Sequence, residues 1–168
     1  MLQTLSTRIV FLASALTMAS MGMAADSKSR AGEAEFREVY KELVETNTAL
    51  SNGSCTLAAD RMAARLKSAG LEQVQVFTAP DHPKEGGLFA VYPGSDSKAK
   101  AILLLAHIDV VEAKREDWTR DPFVLVEENG SFYARGAVDD KAEAAIWVDT
   151  LVRYAQEKFK PRGLSKLR

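Results

Sequence analysis

One cysteine, Cys55, in 168 residues excludes an intramolecular disulfide framework and any cysteine-rich zinc site. Imidazole is almost as scarce. His82 and His107 are the only histidines, so a metal held by this chain must draw on aspartate or glutamate as well. An excess of one charge is also missing: 22 Lys and Arg stand against 23 Asp and Glu, with a pI near 6.2. That balance excludes the basic surface of a non-specific nucleic-acid binder, and 46% hydrophobic residues exclude the composition of a disordered chain. No internal repeat is visible. No glycine-rich phosphate cradle is present either, because Gly86-Gly87 lacks the strand-to-helix context and the following Lys-Ser/Thr pair.

The chain does contain one short apolar run near its start. Arg8 is the only charge before Ile9 to Met23, which are broken only by small or hydroxyl residues, and Gly22-Met23-Ala24 approximates a small-x-small cleavage site. The run is shorter than the roughly 20 apolar residues a membrane span needs, so residues 1–24 read as a secretory signal peptide rather than an anchor. The mature chain is then secreted or periplasmic, with no membrane partner. Residues 25–32 form a polar linker.

Beyond the linker, Phe36, Val39, Tyr40, Leu43 and Val44 recur at helical spacing. A second helix is predicted from Thr56 to Ala69, with Leu57, Met62 and Leu66 inward and Gly70 as its stop. The period then changes. Gln73 to Phe77 alternates as a half-buried strand, Gly87 to Tyr92 is a second strand, and Ala101 to Ala106 is continuously apolar, as expected of a strand in the middle of a covered sheet. Phe123 to Glu127 and Ser131 to Ala134 flank Asn129-Gly130 and read as a hairpin. A long helix follows, with Asp139 or Asp140 as its cap and Ala144, Trp147, Val148, Leu151, Val152, Ala155 and Phe159 as its inward stripe, ending at Pro161 and Gly163. Helices flanking a largely buried sheet define an α/β domain.

Two places carry chemistry. In Ala106-His107-Ile108-Asp109 the central apolar strand ends in an imidazole with a carboxylate two residues on. Ligands of open α/β sheets bind at the carboxyl ends of strands, and a metal-bound histidine usually donates its other ring N–H to a carboxylate, a part Asp109 is near enough to play. The bland alternative is a core histidine beside a turn-forming aspartate. In Tyr133 to Lys141 a strand turns through Gly136 into the long helix and places Asp139 32 residues after His107. Taken alone, Asp139 is a helix cap.

Taken in order, with Trp118-Thr119-Arg120-Asp121-Pro122-Phe123 between them, these segments resemble the M20 zinc metallopeptidases and amidohydrolases. That family includes carboxypeptidase G-like, succinyl-diaminopimelate desuccinylase-like, acetylornithine deacetylase-like and carnosinase-like enzymes. The resemblance rests on His107-Ile-Asp109-Val-Val, on Trp118 to Phe123 and on Ala134-Arg-Gly-Ala-Val-Asp139-Asp-Lys141. It implies a zinc-exopeptidase-like sheet flanked by helices, with residues 33–161 as the amino-terminal part of the catalytic domain. It implies His107 as a zinc ligand, Asp109 as the residue that orients it, and Asp139 as the bridge between two zinc ions. The implied substrates are small peptides or N-acyl amino acids. Ala134 and Ala142 depart mildly from the family's glycine or small residues, and Asp140 falls where the family varies.

The adjacent glutamates that follow the long helix in the family, the distant histidine and the dimerisation domain have no counterpart in these 168 residues. Residues 162–168 contain no Glu and too little alternation for a core strand, and read as an aberrant tail of a truncated catalytic domain. At most one weakly held zinc is expected, with His82 and Cys55 contributing nothing. A non-catalytic periplasmic binding or remnant domain remains the alternative. The leader reading has a direct check: amino-terminal sequencing of exported protein should start within two residues of Ala25, and a start at Met1 in a membrane fraction would reverse it.

Overall fold

The computed structural model describes residues 30–163 and 165–167. The signal-peptide assignment and the first part of the linker, through residue 29, lie outside the described residues. Helix α1 (Glu33–Glu45) buries the predicted stripe of Val39, Tyr40, Leu43 and Val44, and the Glu33 carboxylate in its first turn accepts a hydrogen bond from the Arg30 backbone N–H at 3.1 Å. Helix α2 (Cys55–Ser68) is capped by Ser54, whose hydroxyl accepts from the Leu57 N–H at 3.1 Å. Its inward face is Ala58, Ala59, Met62, Ala63 and Leu66. Leu57, expected inward, is exposed: it shares the outer face with Asp60, Arg61 and Ala64, one hundred degrees per residue away from the alanine stripe.

Strands β1 (Gln73–Ala79) and β2 (His82–Tyr92) form an antiparallel hairpin, with α2 packed across both. β3 (Ile102–Leu104) precedes a short 3-10 helix (Arg115–Asp117), and β4 (Val126–Glu128) pairs with β5 (Ser131–Tyr133). Asn129 and Gly130 join that pair with φ of 53° and 74°, the double positive φ that a two-residue type I′ turn demands. Helix α3 (Lys141–Gln156) packs against α1. It ends before Pro161, at a residue run in which Lys158 has a φ of 54°, and leaves Phe159 outside the helix and half exposed. The single Tyr92 hydroxyl proton is shared between the Tyr154 and Phe159 carbonyls, which lie 2.8 and 2.6 Å from the oxygen, closing that helix end onto the sheet. A common core joins α1, α2, α3 and β2 through Leu43, Met62, Leu66, Ala90, Val148 and Leu151. This is the predicted α/β class, with helices on a mixed sheet.

Two expectations about the sheet are overturned together. The four-stranded sheet has the order β1-β2-β6-β3, so the apolar strand at 102–104 lies at the edge of the described sheet and not at its centre. Ile102, Leu103 and Leu105 are 59%, 53% and 56% exposed, because among the described residues no strand pairs with the far side of β3. The central place is taken by β6 (Ser165–Leu167), from the tail expected to be aberrant, which pairs antiparallel with β2 and parallel with β3. A three-residue strand held by ladders on both sides needs little apolar pattern, and here Leu167 alone supplies it at 5% exposure. The Ser95 and Asp96 N–H groups donate to the Pro161 and Arg162 carbonyls at 2.8 and 2.9 Å and guide the segment in. Gly163 lies so close to the Lys100 carbonyl that a β-carbon there would stand 2.5 Å from its oxygen, which is why glycine is required at the entrance. Leu167→Ala should therefore cost about 2–5 kcal/mol in urea unfolding, whereas Ile102→Ala on the exposed edge should cost less than about 1 kcal/mol; equal losses would contradict the central position of β6.

Candidate functional site

His107 follows β3 at its carboxyl end, and three contacts fix the chain there. The Thr48 hydroxyl donates to the Ile108 carbonyl at 2.6 Å, an isolated parallel bridge joins Ala49 to Val110, and the Val110 N–H reaches the Thr48 carbonyl at 3.5 Å. The loop after α1 thus holds the strand end where the ring projects. On the other side, the chain leaves β5 and reverses at Gly136, which has a φ of 80°. A β-carbon on Gly136 would stand 2.6 Å from Val110 Cγ1, so the turn can approach the strand end only without a side chain. The buried Tyr40 hydroxyl donates to the Ala137 carbonyl at 2.7 Å and pins the turn from below.

This turn delivers Asp139 to His107. The His107 Nε2 lies 2.9 Å from Asp139 Oδ1, and Nδ1 lies 3.2 Å from the Asp109 carbonyl oxygen and 3.3 Å from Asp109 Oδ1. All three sequence-predicted residues therefore come together, with Asp109 facing the ring through its backbone as well as its carboxylate. Burial works against a charged ring here, but the hydrogen bond to Asp139, the one to the Asp109 backbone and the two carboxylates outweigh it and hold the His107 pKa above the ordinary imidazole value. Neither Asp139 nor Asp140 caps α3 with its side chain. The Asp140 carboxylate instead accepts from the His107 backbone N–H at 3.4 Å, a tie that the sequence did not announce. The Asp139–Asp140 peptide is cis.

Beneath the pair lies Lys141, fully buried at the start of α3, its Nζ donating to the Thr46 carbonyl at 2.8 Å. Burial pushes its pKa down to about 8. Zinc bonds to imidazole nitrogen and carboxylate oxygen are each about 2.0–2.2 Å long, so two donor atoms 2.9 Å apart are within reach of one ion. The donor pair fits zinc in kind. In number it falls short, since no group of three or more His, Cys, Asp or Glu able to hold a metal occurs among the described residues. His82 stays at the tip of the β1–β2 hairpin, 3.2 Å from Glu85, and Cys55 turns its thiol toward the Thr48 carbonyl at 3.9 Å. Glu143 lies exposed in the first turn of α3.

One side of the site is a cleft of about 370 Å³ whose lining includes His107, Asp109 and Asp139 together with Trp118 and Arg135. The Arg135 guanidinium lies over the Trp118 ring at 5.0 Å, and its backbone N–H donates to the Pro122 carbonyl at 2.7 Å. Of the Trp118 to Phe123 segment, conspicuous in the sequence without an evident role, Trp118 lines the cleft and Pro122 holds the Arg135 backbone.

Residues 103–167 match the model of peptidase family M20/M25/M40. That span contains His107, Asp109 and Asp139, and it runs through β6 almost to the last residue. An acetylornithine deacetylase of Dictyostelium discoideum is 37% identical over 100 residues, which cover 55% of this chain and 22% of that protein. A Beta-Ala-His dipeptidase of Rattus norvegicus is 33% identical over 99 residues, covering 56% of this chain and 20% of that one. The crystal structure of human carnosine dipeptidase 1 superimposes with a TM-score of 0.67 over 82% of this chain and 31% of its own, at 23% identity, and so shares the fold. Over residues 103–167 the chain is similar to the M20 peptidases. It spans about a fifth of the length of the first two relatives and under a third of the carnosine dipeptidase.

The turn geometry sets a test. Gly136→Ala forces a positive φ and a clash with Val110, and should cost about 1–3 kcal/mol in chemical denaturation while shifting the His107 ring resonances in NMR. Unchanged stability would show that the turn does not depend on glycine.

Proposed function

We propose that the protein is a secreted M20-type metallohydrolase of peptide or N-acyl amino acid amide bonds, and that this chain contributes His107 and Asp139 as zinc ligands and Asp109 as the group that orients His107. The observation that carries this reading is the 2.9 Å approach of His107 Nε2 to Asp139 Oδ1 at a strand's carboxyl end, with Nδ1 turned to Asp109. The names of the relatives, a deacetylase and a dipeptidase, support an amide substrate with an amino-acid part. The composition of residues 1–24 supports export.

Each residue has a definite task. His107 must present Nε2 without its proton, and Asp109, by accepting the Nδ1 hydrogen, selects that tautomer and makes the ligand more basic. Asp139, 86% exposed, offers its carboxylate to the same space. Bound zinc would polarise the scissile carbonyl and lower the pKa of the attacking water. A general base would be needed to take a proton from the attacking water and then, as its conjugate acid, to give it to the leaving amine. Asp109 and Asp140 are engaged with His107 and Glu143 faces solvent, so none of these carboxylates is assigned that task. The 168 residues by themselves are therefore expected to bind zinc without hydrolysing an amide. β6 runs parallel to β3, so its carboxyl end points to the same side as His107, the side on which further ligands would have to enter.

A second reading, a non-catalytic periplasmic binding or remnant domain, is favoured by the absence of a three-donor group among the described residues. It expects no zinc site at His107. Calorimetric titration of metal-free chain decides. One loosely held zinc is expected, lost in His107→Ala, weakened about 10- to 100-fold in Asp109→Ala and unchanged in Cys55→Ser; a signal unchanged in His107→Ala would overturn the assignment.

A further inference from the structure

The rim of the sheet opposite His107 gathers cations around an exposed ring. Tyr92, Ser165 and Ile102 form one row across β2, β6 and β3, at the amino end of β3, and the chain segments 93–101 and 157–163 meet beside that row. The Ser95 and Asp96 N–H groups bond the Pro161 and Arg162 carbonyls, and Gly163 lies against the Lys100 carbonyl. Lys98 and Lys100 in one segment and Lys158, Lys160 and Arg162 in the other therefore share this end of the molecule, and all five are exposed. Three carboxylates stand near them, Glu72, Asp96 and Glu157, of which Asp96 is paired with Arg162 at 3.7 Å. In a chain whose net charge is -1, this end is positive.

Part of this arrangement has an ordinary cause. Cations suit the carboxyl end of a helix, and α3 closes here with the Lys158 N–H on the Ala155 carbonyl at 3.2 Å and the Phe159 N–H on the Tyr154 carbonyl at 2.9 Å, while the Phe159 ring packs 4.7 Å from that of Tyr154. The closure does not call for what the side chains add. Lys158 has a φ of 54° at the place where glycine is usual, and Phe159 stays 48% exposed between two lysines. Ile102, two residues after Lys100, is 59% exposed. Cations interleaved with exposed apolar side chains suit a lipid interface, where ammonium groups meet anionic headgroups and the ring enters the acyl boundary. A soluble polyanion would use the charges and leave Phe159 and Ile102 in water. We propose that this rim is a docking surface for an anionic lipid membrane, met by the five cations and Phe159 while the His107 cleft faces away. Adsorption is all that this requires, since no described helix is long and apolar enough to cross a membrane. The surface departs from the expectation that the mature chain has no membrane partner, and an even overall charge hid it because folding brings the cations together from two distant segments. The inference stands apart from the hydrolytic reading and does not depend on it.

Sedimentation of the full chain with lipid vesicles tests the proposal. Two kinds are used, pure phosphatidylcholine and equal parts of phosphatidylcholine and phosphatidylglycerol, and the quantity read is the preference for the anionic kind, because the apolar run at 9–23 is common to every variant and does not distinguish the two. The preference should be at least about tenfold at low salt and should shrink as salt is added. It should fall at least about fivefold when Lys158 and Lys160 are both changed to Gln, and again when Lys98 and Lys100 are; the second pair decides if the first variant does not fold. Changing Lys84 and Lys114 to Gln, which removes as much exposed charge elsewhere, should leave it intact. Phe159→Ala should weaken binding to the anionic vesicles at least about threefold. Equal binding to both vesicles, a preference that survives both lysine pairs, or one that falls as much in the Lys84 and Lys114 variant overturns the proposal. Heparin serves as a soluble polyanion: binding to it, together with vesicle binding indifferent to Phe159→Ala, would make the rim a general polyanion surface and overturn the lipid assignment as well.

Discussion

His107 and Asp139 meet because the chain between β5 and α3 reverses at a residue that carries no side chain. Gly136 adopts a φ of 80° in space already filled by the Val110 methyl group, and that close approach brings Asp139 within 2.9 Å of the ring. The rest of the local structure secures the reversal. Tyr40 from α1 holds the Ala137 carbonyl, and Lys141 reaches back to the Thr46 carbonyl in the loop that also steadies Ile108. One short segment after α1 therefore supports both halves of the donor pair, and a disturbance there would move both. Placing a lysine ammonium under this layer is unfavourable, as its lowered pKa records, and the hydrogen bond to Thr46 offsets part of that cost.

The start of α3 shows a competition between two uses of a carboxylate. A helix amino-terminus favours Asp at its cap by its dipole and its unpaired N–H groups. Asp140 occupies the cap position but turns its side chain to the His107 backbone N–H, and Asp139 turns to the ring. The cap hydrogen bond is forgone and the carboxylates are spent on the strand end. Residues that break a local rule in this way are where function is to be sought, and here the departure coincides with the motif order that marked the site.

Much of this was legible in the sequence because the signals were local. The α1 stripe, the helix expected from Thr56 to Ala69 and the Asn129-Gly130 turn each follow from short-range periodicity or turn chemistry, and His107, Asp109 and Asp139 stood out at strand ends and a strand-to-helix turn. What was not legible depends on distant pairing. Nothing within Ser165-Lys166-Leu167 announces a central strand, since its place is set by ladders to Ala90–Tyr92 and to Ile102–Leu104. The apolar run at 101–106 pointed to a central strand covered on both faces, but only Ile102–Leu104 form a strand, at the edge of the described sheet, because a run cannot say which neighbours pair with it. Arg135 escaped notice for a similar reason: an arginine inside a motif has no visible partner until Trp118, 17 residues earlier, folds under it.

The strand order gives the site its direction. β3 and β6 are parallel neighbours, so their carboxyl ends emerge side by side, and α3 connects β5 to β6 by passing back over the core. Parallel neighbours concentrate chain ends, and the loops leaving them, at one rim of the sheet, which is why open α/β folds place ligands there. His107 leaves β3 at that rim, and the cleft with Trp118 and Arg135 opens beside it. The side chains that line the cleft thus converge from two connections, the one between β3 and β4 and the one between β5 and α3, on a rim set by two three-residue strands. Such short ladders contribute little rigidity of their own. The rim instead takes its firmness from the contacts behind it, Thr48 on the Ile108 carbonyl and Leu167 in the core, so the placement of His107 and Asp139 depends on burial well below them.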